Sequence, residues 1–205
     1  MINTIKVKTY GNSPVNVKEL LRYAGAKKAD NELLQVVDEC LNEALNCFSY
    51  KVCYGEFPIL KNESYLDLGF LNTMSKDLKK NLNGCDSVIL FAATVGTGID
   101  RLISKYSRIS PLRALIFQAL GAERIENLCD RFNNDITNKK LTENKFTRPR
   151  FSAGYGDFPL EMQKDILSVL DSSKKIGVVL NDSLTMSPSK SVTAIIGVGS
   201  VENGN

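Results

Sequence analysis

The sequence predicts an α+β fold in which helices flank a mixed or mostly antiparallel sheet. Strand-like apolar runs and amphipathic helical stretches occur in mixed order, without the strict strand–helix alternation that marks a parallel sheet. No linker or internal repeat divides the 205 residues, and a chain of this length suffices for one substantial core. We therefore expect residues 1–205 to form a single domain.

The N-terminal half contains both kinds of pattern. Asn16 is placed to cap a helix that Gly25 ends, and apolar residues spaced three and four apart predict a second helix over 30–48. The run SVILFAATV at 87–95 is apolar almost throughout, which is typical of a buried central strand. The other expected elements are strands at 4–9, 51–57 and 65–68 and a short helix at 75–82.

Helices dominate the next part of the chain. Amphipathic stretches predict helices at 99–106, 111–121 and 122–137, with Gly121 as the break between the last two. A loop at 147–159 and a helix to about residue 170 follow. Two apolar strands are expected at 176–180 and 192–198, joined by a loop rich in hydroxyl side chains.

Composition excludes several classes of function. The chain has no histidine, which removes Ser-His-Asp and Cys-His triads, histidine-based metal sites, and imidazole ligation of a haem or corrinoid. A net charge of +3, spread over scattered doublets, gives no stripe for nucleic acid. The five cysteines form no C-x-x-C pair and predict buried thiols rather than a metal site. With no signal-peptide pattern and no membrane-spanning run, we expect a cytoplasmic protein without membrane or nucleic-acid partners.

The first candidate for chemistry is a Gly-x-Gly turn after the predicted central strand. Gly96 and Gly98 resemble the start of a dinucleotide-binding fingerprint, but Arg101 stands where that fingerprint needs a small residue. A tight turn with Thr97 near a helix cap is the simpler interpretation. The loop at 182–191 is a second, weaker candidate, because long connections are enriched at functional sites without being diagnostic.

The densest candidate is the loop at 150–157. Arg150 is able to grip a carboxylate or phosphate, Gly154 and Gly156 allow a close backbone approach, and Tyr155 is able to stack on a base or face a cation. Such a set suits a ligand with a carboxylate, an aromatic ring and a positive charge. The alternative is an ordinary surface loop in which Asp157 caps the following helix.

The octapeptide at 150–157, RFSAGYGD, resembles a signature of the activation domain of vitamin B12-dependent methionine synthase, R-x-x-x-G-Y followed by proline or glycine. Three further segments resemble that family in the same order, and the resemblance covers roughly residues 85–200. They are VILFAATVGTGID at 88–100, ALGAERIENLCD at 119–130 and LTMSPSKSVTAIIG at 184–197.

The resemblance implies a ligand and a set of contacts. Domains of this family bind S-adenosylmethionine, so Arg150 would hold the methionine carboxylate and Tyr155 would lie beside the sulfonium. The backbone around Ser152 and Gly154 would receive the adenosine. Glu126 falls where the family has a helix carboxylate near the ligand, although Glu126 and Asp130 also fit a solvated helix face. No catalytic side chain and no metal ligand is implied.

The same resemblance implies partners. The expected role is reductive methylation of cob(II)alamin to methylcobalamin, which reactivates methionine synthase in methionine biosynthesis. Because the chain lacks histidine, it cannot supply the lower cobalt ligand, so the cobalamin must sit on a separate corrinoid-binding methionine synthase protein. A flavodoxin- or ferredoxin-like protein would donate the electron. The alternative is a non-catalytic corrinoid-protein binding or assembly module that keeps the fold without using S-adenosylmethionine.

Overall fold

The fold is organised around a five-stranded sheet. The computed structural model describes residues 4–60 and 64–200. Within these residues the strands are β1 (Lys6–Tyr10), β2 (Tyr50–Pro58), β3 (Leu66–Asp67), β4 (Asn72–Thr73), β5 (Ser87–Thr94), β6 (Lys145–Thr147), β7 (Val179–Leu180), β8 (Met186–Ser187) and β9 (Ser191–Ser200). The helices are α1 (Val17–Tyr23), α2 (Asn31–Ala44), α3 (Lys76–Asn81), α4 (Gly98–Tyr106), α5 (Pro111–Thr142), a 3₁₀ turn (Leu160–Met162), α6 (Gln163–Val169) and α7 (Ser172–Ile176).

The central sheet has the order β1-β2-β5-β9-β6, and every neighbouring pair is antiparallel. β5 lies in the middle and pairs along its whole length with β2 and β9. Its side chains are buried on both faces, as expected for a nearly continuous apolar run. The predicted α+β class with a mostly antiparallel sheet is confirmed.

Helices cover both faces of the sheet and create two cores. On one face, Phe91 of β5 and Ile196 of β9 belong to the same core as Phe132 of α5, to which α1, α2 and α4 also contribute. On the other face, Leu90 and Ile195 belong to a core with residues of α3, α6 and α7. Successive strand residues therefore serve different cores, in keeping with the two-residue period of a strand.

Several predicted elements are confirmed at their ends. The side chain of Asn16 accepts a hydrogen bond from the Glu19 amide and caps α1, and Gly25 has a left-handed φ of +74° just after that helix. The predicted helix at 30–48 is shorter, because α2 ends at Ala44. The chain turns there so that the Ser49 amide donates to the Val95 carbonyl and leads into β2.

The predicted helix break at Gly121 is wrong, since α5 runs without interruption for 32 residues. Glycine serves packing at this point instead. A Cβ on Gly121 would stand 2.9 Å from two side-chain carbons of Lys190 and 3.2 Å from Ile99. The missing side chain therefore lets Lys190, which immediately precedes β9, and Ile99 of α4 approach the middle of the helix.

The predicted strand at 176–180 is largely wrong. Ile176 ends α7, Gly177 adopts a left-handed φ of +74°, and only Val179–Leu180 is extended, paired with β8 in a separate small hairpin. Ile176 and Val178 are buried in the core that contains Leu90 and Ile195. The apolar pattern therefore predicted the burial of these residues correctly, but it predicted the wrong secondary structure. Short apolar runs do not distinguish helix from strand.

The Gly-x-Gly turn is a packing feature. Gly96 has a φ of +82°, and a Cβ on Gly98 would overlap the Cys47 carbonyl group. Thr97 is the N-cap residue of α4, as predicted, although its side chain makes no capping hydrogen bond. Among the described residues, no helix combines the length and apolar character needed to cross a bilayer.

Candidate functional site

The segment that contains Arg150 lies along the edge of β9. The Arg148 amide donates to the Gly197 carbonyl at 2.9 Å, and Phe151 exchanges two backbone hydrogen bonds with Ile195, each 2.9 Å long. Phe151 is buried in the second core. Because side chains alternate along an extended segment, Arg150 and Ser152 point to the opposite face, toward α5.

Two carboxylates of α5 hold the guanidinium of Arg150. Its Nη2 donates to Glu126 Oε2 at 2.5 Å and its Nη1 donates to Asp130 Oδ1 at 2.6 Å. The Arg150 side chain is 25% exposed, whereas those of Glu126 and Asp130 are 43% and 65% exposed. Burial alone would lower the pKa of Arg150, but the hydrogen bond to Asp130 and the surrounding negative charge raise it. The arginine is a fixed cation at the sheet edge.

Glu126 and Asp130 share one stripe of α5. Residues four apart lie on the same side of a helix, so Gln118, Ala122, Glu126 and Asp130 form a continuous row. The structure thus brings together the predicted residues Arg150 and Glu126, and it adds Asp130, which also fitted a solvated helix face. The sequence shows that Glu126 and Asp130 are four residues apart. It does not show that Asp130 pairs with Arg150, which lies 20 residues further along the chain.

Tyr155 stands apart from the Arg150 ion pairs. Its ring is 71% exposed and meets Phe151 edge-on, with ring centroids 5.4 Å apart. It borders an open groove of about 810 Å³ between the loop and α3, lined also by Asp77, Lys80 and Arg148. A ligand that contacts both Arg150 and Tyr155 would therefore cross the segment at Ser152 and Gly154.

The backbone between Arg150 and Tyr155 is half-buried at Ser152 and exposed at Gly154. Gly154 has a φ of +87°, and its amide donates to the Phe158 carbonyl at 2.8 Å. The Tyr155 amide donates to the Ser152 carbonyl at 3.2 Å. These two hydrogen bonds close a turn that fixes the backbone position of Tyr155.

Asp157 does not cap the helix that follows it, contrary to the sequence-based interpretation. Its carboxylate accepts hydrogen bonds from the Ser75 hydroxyl at 2.5 Å and from the amides of Lys76 and Asp77 at 2.8 and 3.2 Å, so it caps α3 instead. Asp77 accepts in return from the Asp157 amide at 3.3 Å. The bond from Ser75 lowers the pKa of Asp157. This reciprocal arrangement, similar to a capping box, ties the loop to α3.

The family signature allows proline or glycine after the Gly-Tyr pair, and the conformation of Gly156 explains why glycine stands here. Its φ is +56°, and a Cβ at this position would overlap the Asp77 carboxylate. Proline fixes φ near −65° and cannot adopt this backbone. The loop therefore takes a path that requires glycine.

We expect Gly156→Pro to destabilise the protein by about 1–3 kcal/mol, the usual cost of an incompatible backbone conformation. Thermal and denaturant unfolding would measure the loss. Gly11→Ala is the matched control, because no atom lies within 4 Å of a Cβ placed at Gly11. Equal stability of the two variants would contradict the assigned loop conformation.

The segment preceding β9 is fixed on α4. The Ser189 amide and hydroxyl donate to the two carboxylate oxygens of Asp100 at 2.9 and 2.5 Å, and the Lys190 carbonyl accepts from the Val95 amide at 3.1 Å. The loop predicted at 182–191 as a candidate site is thus partly a hairpin, β7–β8, and partly this anchored entry to β9.

A buried ion pair escaped the sequence analysis. Glu123 and Arg124, which are 4% and 1% exposed, are joined by two hydrogen bonds of 2.5 and 2.6 Å. Arg124 also donates to the carbonyls of Ser13 and Pro14, and Glu123 accepts from the Asn16 amide. Adjacent opposite charges in the sequence gave no sign of burial, because such pairs are usually solvated.

Comparison with known proteins agrees with this fold. The family model described as "Vitamin B12 dependent methionine synthase, activation domain" matches residues 55–200. A crystal structure of the MetH reactivation domain bound to AdoHcy is similar, with a TM-score of 0.66 and 14% sequence identity over 95% of this chain and 78% of that chain. At this identity the structural likeness bears on the fold alone. No curated protein matches the sequence.

Proposed function

This chain belongs to the family of the activation domain of vitamin B12-dependent methionine synthase, and on that premise we propose that it binds S-adenosylmethionine and supports reductive methylation of cob(II)alamin to methylcobalamin. The cobalamin is carried by a separate corrinoid-binding methionine synthase, so reactivation occurs in trans. We propose further that residues 1–205 form one domain and that the protein is cytoplasmic. The main support is the loop at 150–157, whose Arg150 is fixed beside Glu126 within the matched residues.

The charges at Arg150 suit the amino-acid end of S-adenosylmethionine. An amino-acid zwitterion needs a cation and an anion side by side, and Arg150 with Glu126 supplies them. A guanidinium has five N–H donors, so donors remain for a ligand carboxylate beyond the two bonds to α5. In this arrangement Arg150 holds the carboxylate while Glu126 accepts from the ligand's ammonium group.

The remaining contacts follow from the path of the loop. The exposed face of Tyr155 is open to a sulfonium, a cation that an aromatic ring attracts. The backbone at Ser152 and Gly154 receives the adenosine, since Gly154 carries no side chain that would block it. Exposure of Tyr155 leaves room above the ring for a partner protein to approach the methyl group.

The role of this chain is positioning. Bound S-adenosylmethionine supplies an activated methyl group, and one electron from a flavodoxin- or ferredoxin-like protein completes the reaction. Arg150 anchors the ligand, and the turn at Ser152 to Tyr155 orients the sulfonium toward the partner. Alignment of two reactants supplies a large part of an enzyme's rate enhancement without an acid or a base, which suits a chain that lacks histidine.

Spectroscopy tests the proposal directly. Inactive methionine synthase with bound cob(II)alamin is mixed with this protein, S-adenosylmethionine and a reduced flavodoxin. We expect the methylcobalamin absorption spectrum to appear only when all four components are present. The proposal would be contradicted if the cob(II)alamin spectrum persisted in the complete mixture while a known reactivation domain, used in place of this protein, produced the methylcobalamin spectrum.

The second candidate function is a corrinoid-protein binding or assembly module that does not use S-adenosylmethionine. It is favoured by the ion pairs of Arg150, because a guanidinium already held by Glu126 and Asp130 has a structural role without any ligand. Calorimetry separates the two candidates. Stable association with the corrinoid protein and no heat of S-adenosylmethionine binding would support the assembly module.

Asp130 competes with the ligand for Arg150, so we expect Asp130→Asn to tighten S-adenosylmethionine binding by up to about fivefold. The competing ion pair is 65% exposed on the aspartate side, and exposed pairs are worth up to about 1 kcal/mol. Calorimetry measures the change, with Asp165→Asn on the surface of α6 as the control. Weaker binding in Asp130→Asn than in the control would show that Asp130 assists the ligand rather than competes with it.

A further inference from the structure

A cavity of about 300 Å³ lies beside the buried ion pair of Glu123 and Arg124, in a part of the molecule that the proposed contacts leave unused. The segment before α1 forms one wall, and the end of α2 and the inner side of α5 form the others. Leu45 is 57% exposed, so the cavity opens to the surface at the end of α2. Most of its lining is apolar: Val15, Val17, Leu41, Leu45, Phe48 and Leu120.

The cavity lies on the other side of α5 from Arg150. Arg124 lines the cavity, whereas Glu126, two positions further along the helix, pairs with Arg150. Two positions correspond to a rotation of about 200° around a helix, so the two side chains point in nearly opposite directions. A molecule in the cavity therefore does not touch the proposed S-adenosylmethionine contacts.

Tyr50 supplies a hydrogen-bond donor to this cavity. It lines the cavity, is 5% exposed, and has its hydroxyl beside the Arg124 guanidinium. Because a guanidinium only donates, this contact occupies the hydroxyl oxygen and leaves its proton. Burial raises the pKa of Tyr50, so the hydroxyl keeps that proton at neutral pH. Within residues 4–60 and 64–200, no group accepts a hydrogen bond from it.

Arg124 has no donor left for an anion. Its Nε and one N–H of Nη2 bind Glu123, Nη1 binds the carbonyl and hydroxyl of Ser13, and the other N–H of Nη2 binds the Pro14 carbonyl. These contacts occupy all five N–H groups of the guanidinium. An anionic ligand would also face the Glu123 carboxylate and lose its hydration. The cavity therefore favours an uncharged ligand.

We propose that this cavity binds a small, uncharged and mostly apolar molecule that accepts a hydrogen bond from Tyr50. An apolar cavity of about 150 Å³ is able to hold benzene, so one of about 300 Å³ admits a substituted ring. Apolar walls with a few placed polar groups are typical of small-molecule sites. A carbonyl oxygen or a ring nitrogen of the ligand supplies the acceptor. The proposed function does not depend on this site.

Three probes of nearly equal size test the assignment. Acetophenone carries an acceptor carbonyl, isopropylbenzene has a methyl group in place of that oxygen, and benzoate carries a charge. Ligand-observed NMR titrations with the full chain measure their affinities. Tyr50→Phe removes the donor, with Tyr23→Phe at the exposed end of α1 as the matched control. Ala44→Met directs a flexible side chain into the cavity and fills it, and melting temperatures report whether each variant is folded.

We expect both neutral probes to bind the wild-type protein and benzoate to bind more weakly than either. Tyr50→Phe should weaken acetophenone relative to isopropylbenzene by about three- to tenfold, the contribution of one hydrogen bond. Ala44→Met should weaken both neutral probes, and Tyr23→Phe should weaken neither.

The assignment is wrong if benzoate binds most tightly, if Tyr50→Phe leaves the ratio of the two neutral affinities unchanged, or if a folded Ala44→Met variant binds like the wild type. Wild-type protein that binds neither neutral probe would also overturn it. None of these results bears on S-adenosylmethionine binding at Arg150, which is measured separately.

Discussion

Replacing Arg150 with alanine is expected to weaken S-adenosylmethionine binding by about ten- to one-hundredfold. A hydrogen bond to a charged group contributes about 1.5–3 kcal/mol, and each 1.4 kcal/mol corresponds to a factor of ten. Arg150 is 25% exposed, so its bonds to a ligand carboxylate are only partly screened by water. Calorimetry on purified protein measures the affinity directly.

The fold should tolerate this substitution. Arg150→Ala leaves Glu126 and Asp130 without their cation, but both carboxylates are substantially exposed and remain hydrated. The expected loss of stability is therefore within about 1 kcal/mol. Arg150→Lys keeps the charge without the planar pair of donors and should fall between wild type and alanine. Arg108→Ala, at an exposed position after α4, serves as the control.

Unchanged affinity in a folded Arg150→Ala variant would remove the guanidinium from the binding site. The ion pairs with α5 would then be its whole role, and the assembly-module function would gain support. A loss of affinity accompanied by a large fall in melting temperature would instead place Arg150 among the residues that hold β9 and α5 together. Measuring both quantities on the same preparation distinguishes these outcomes.

The sequence was informative where local patterns determine structure. The apolar run of β5 and the capping residue Asn16 depend on neighbours within a few positions, and each is found where the pattern places it. The family signature likewise lies in one continuous octapeptide. The family match begins at residue 55, about thirty residues before the region in which the sequence resembles this family.

Contacts between distant segments could not be predicted in the same way. From the sequence, Asp157 was expected to cap the helix that follows it. The tertiary structure instead places the N-terminus of α3 beside its carboxylate. Glycine is typical of helix ends, so Gly121 predicted one. In the structure, the close approach of Lys190 to α5 is what requires glycine at this position. The pairing of Arg150 with Glu126 depends on how the segment after β6 aligns with β9, a register that no local pattern encodes.

The largest expected effect on stability is that of Glu123→Ala, which should destabilise the protein by about 3–5 kcal/mol. Removing one partner of a buried ion pair leaves the other charge without compensation. Arg124 is 1% exposed, so water does not replace the lost carboxylate. Burial by itself lowers the pKa of Arg124, and its bonds to Glu123 are the main reason that the pKa is raised instead. Denaturant unfolding measures the loss, with the exposed Glu161→Ala as the control.

The double substitution Glu123→Leu with Arg124→Leu tests the electrostatic cause. Removing both charges avoids the uncompensated guanidinium, so this variant should be much more stable than Glu123→Ala. Its residual loss would measure what the pair contributes by holding the chain at Ser13, Pro14 and Asn16 against α5. A Glu123→Ala variant within about 1 kcal/mol of wild type would mean that water reaches Arg124, and the N-terminal segment would then be held chiefly by its apolar contacts.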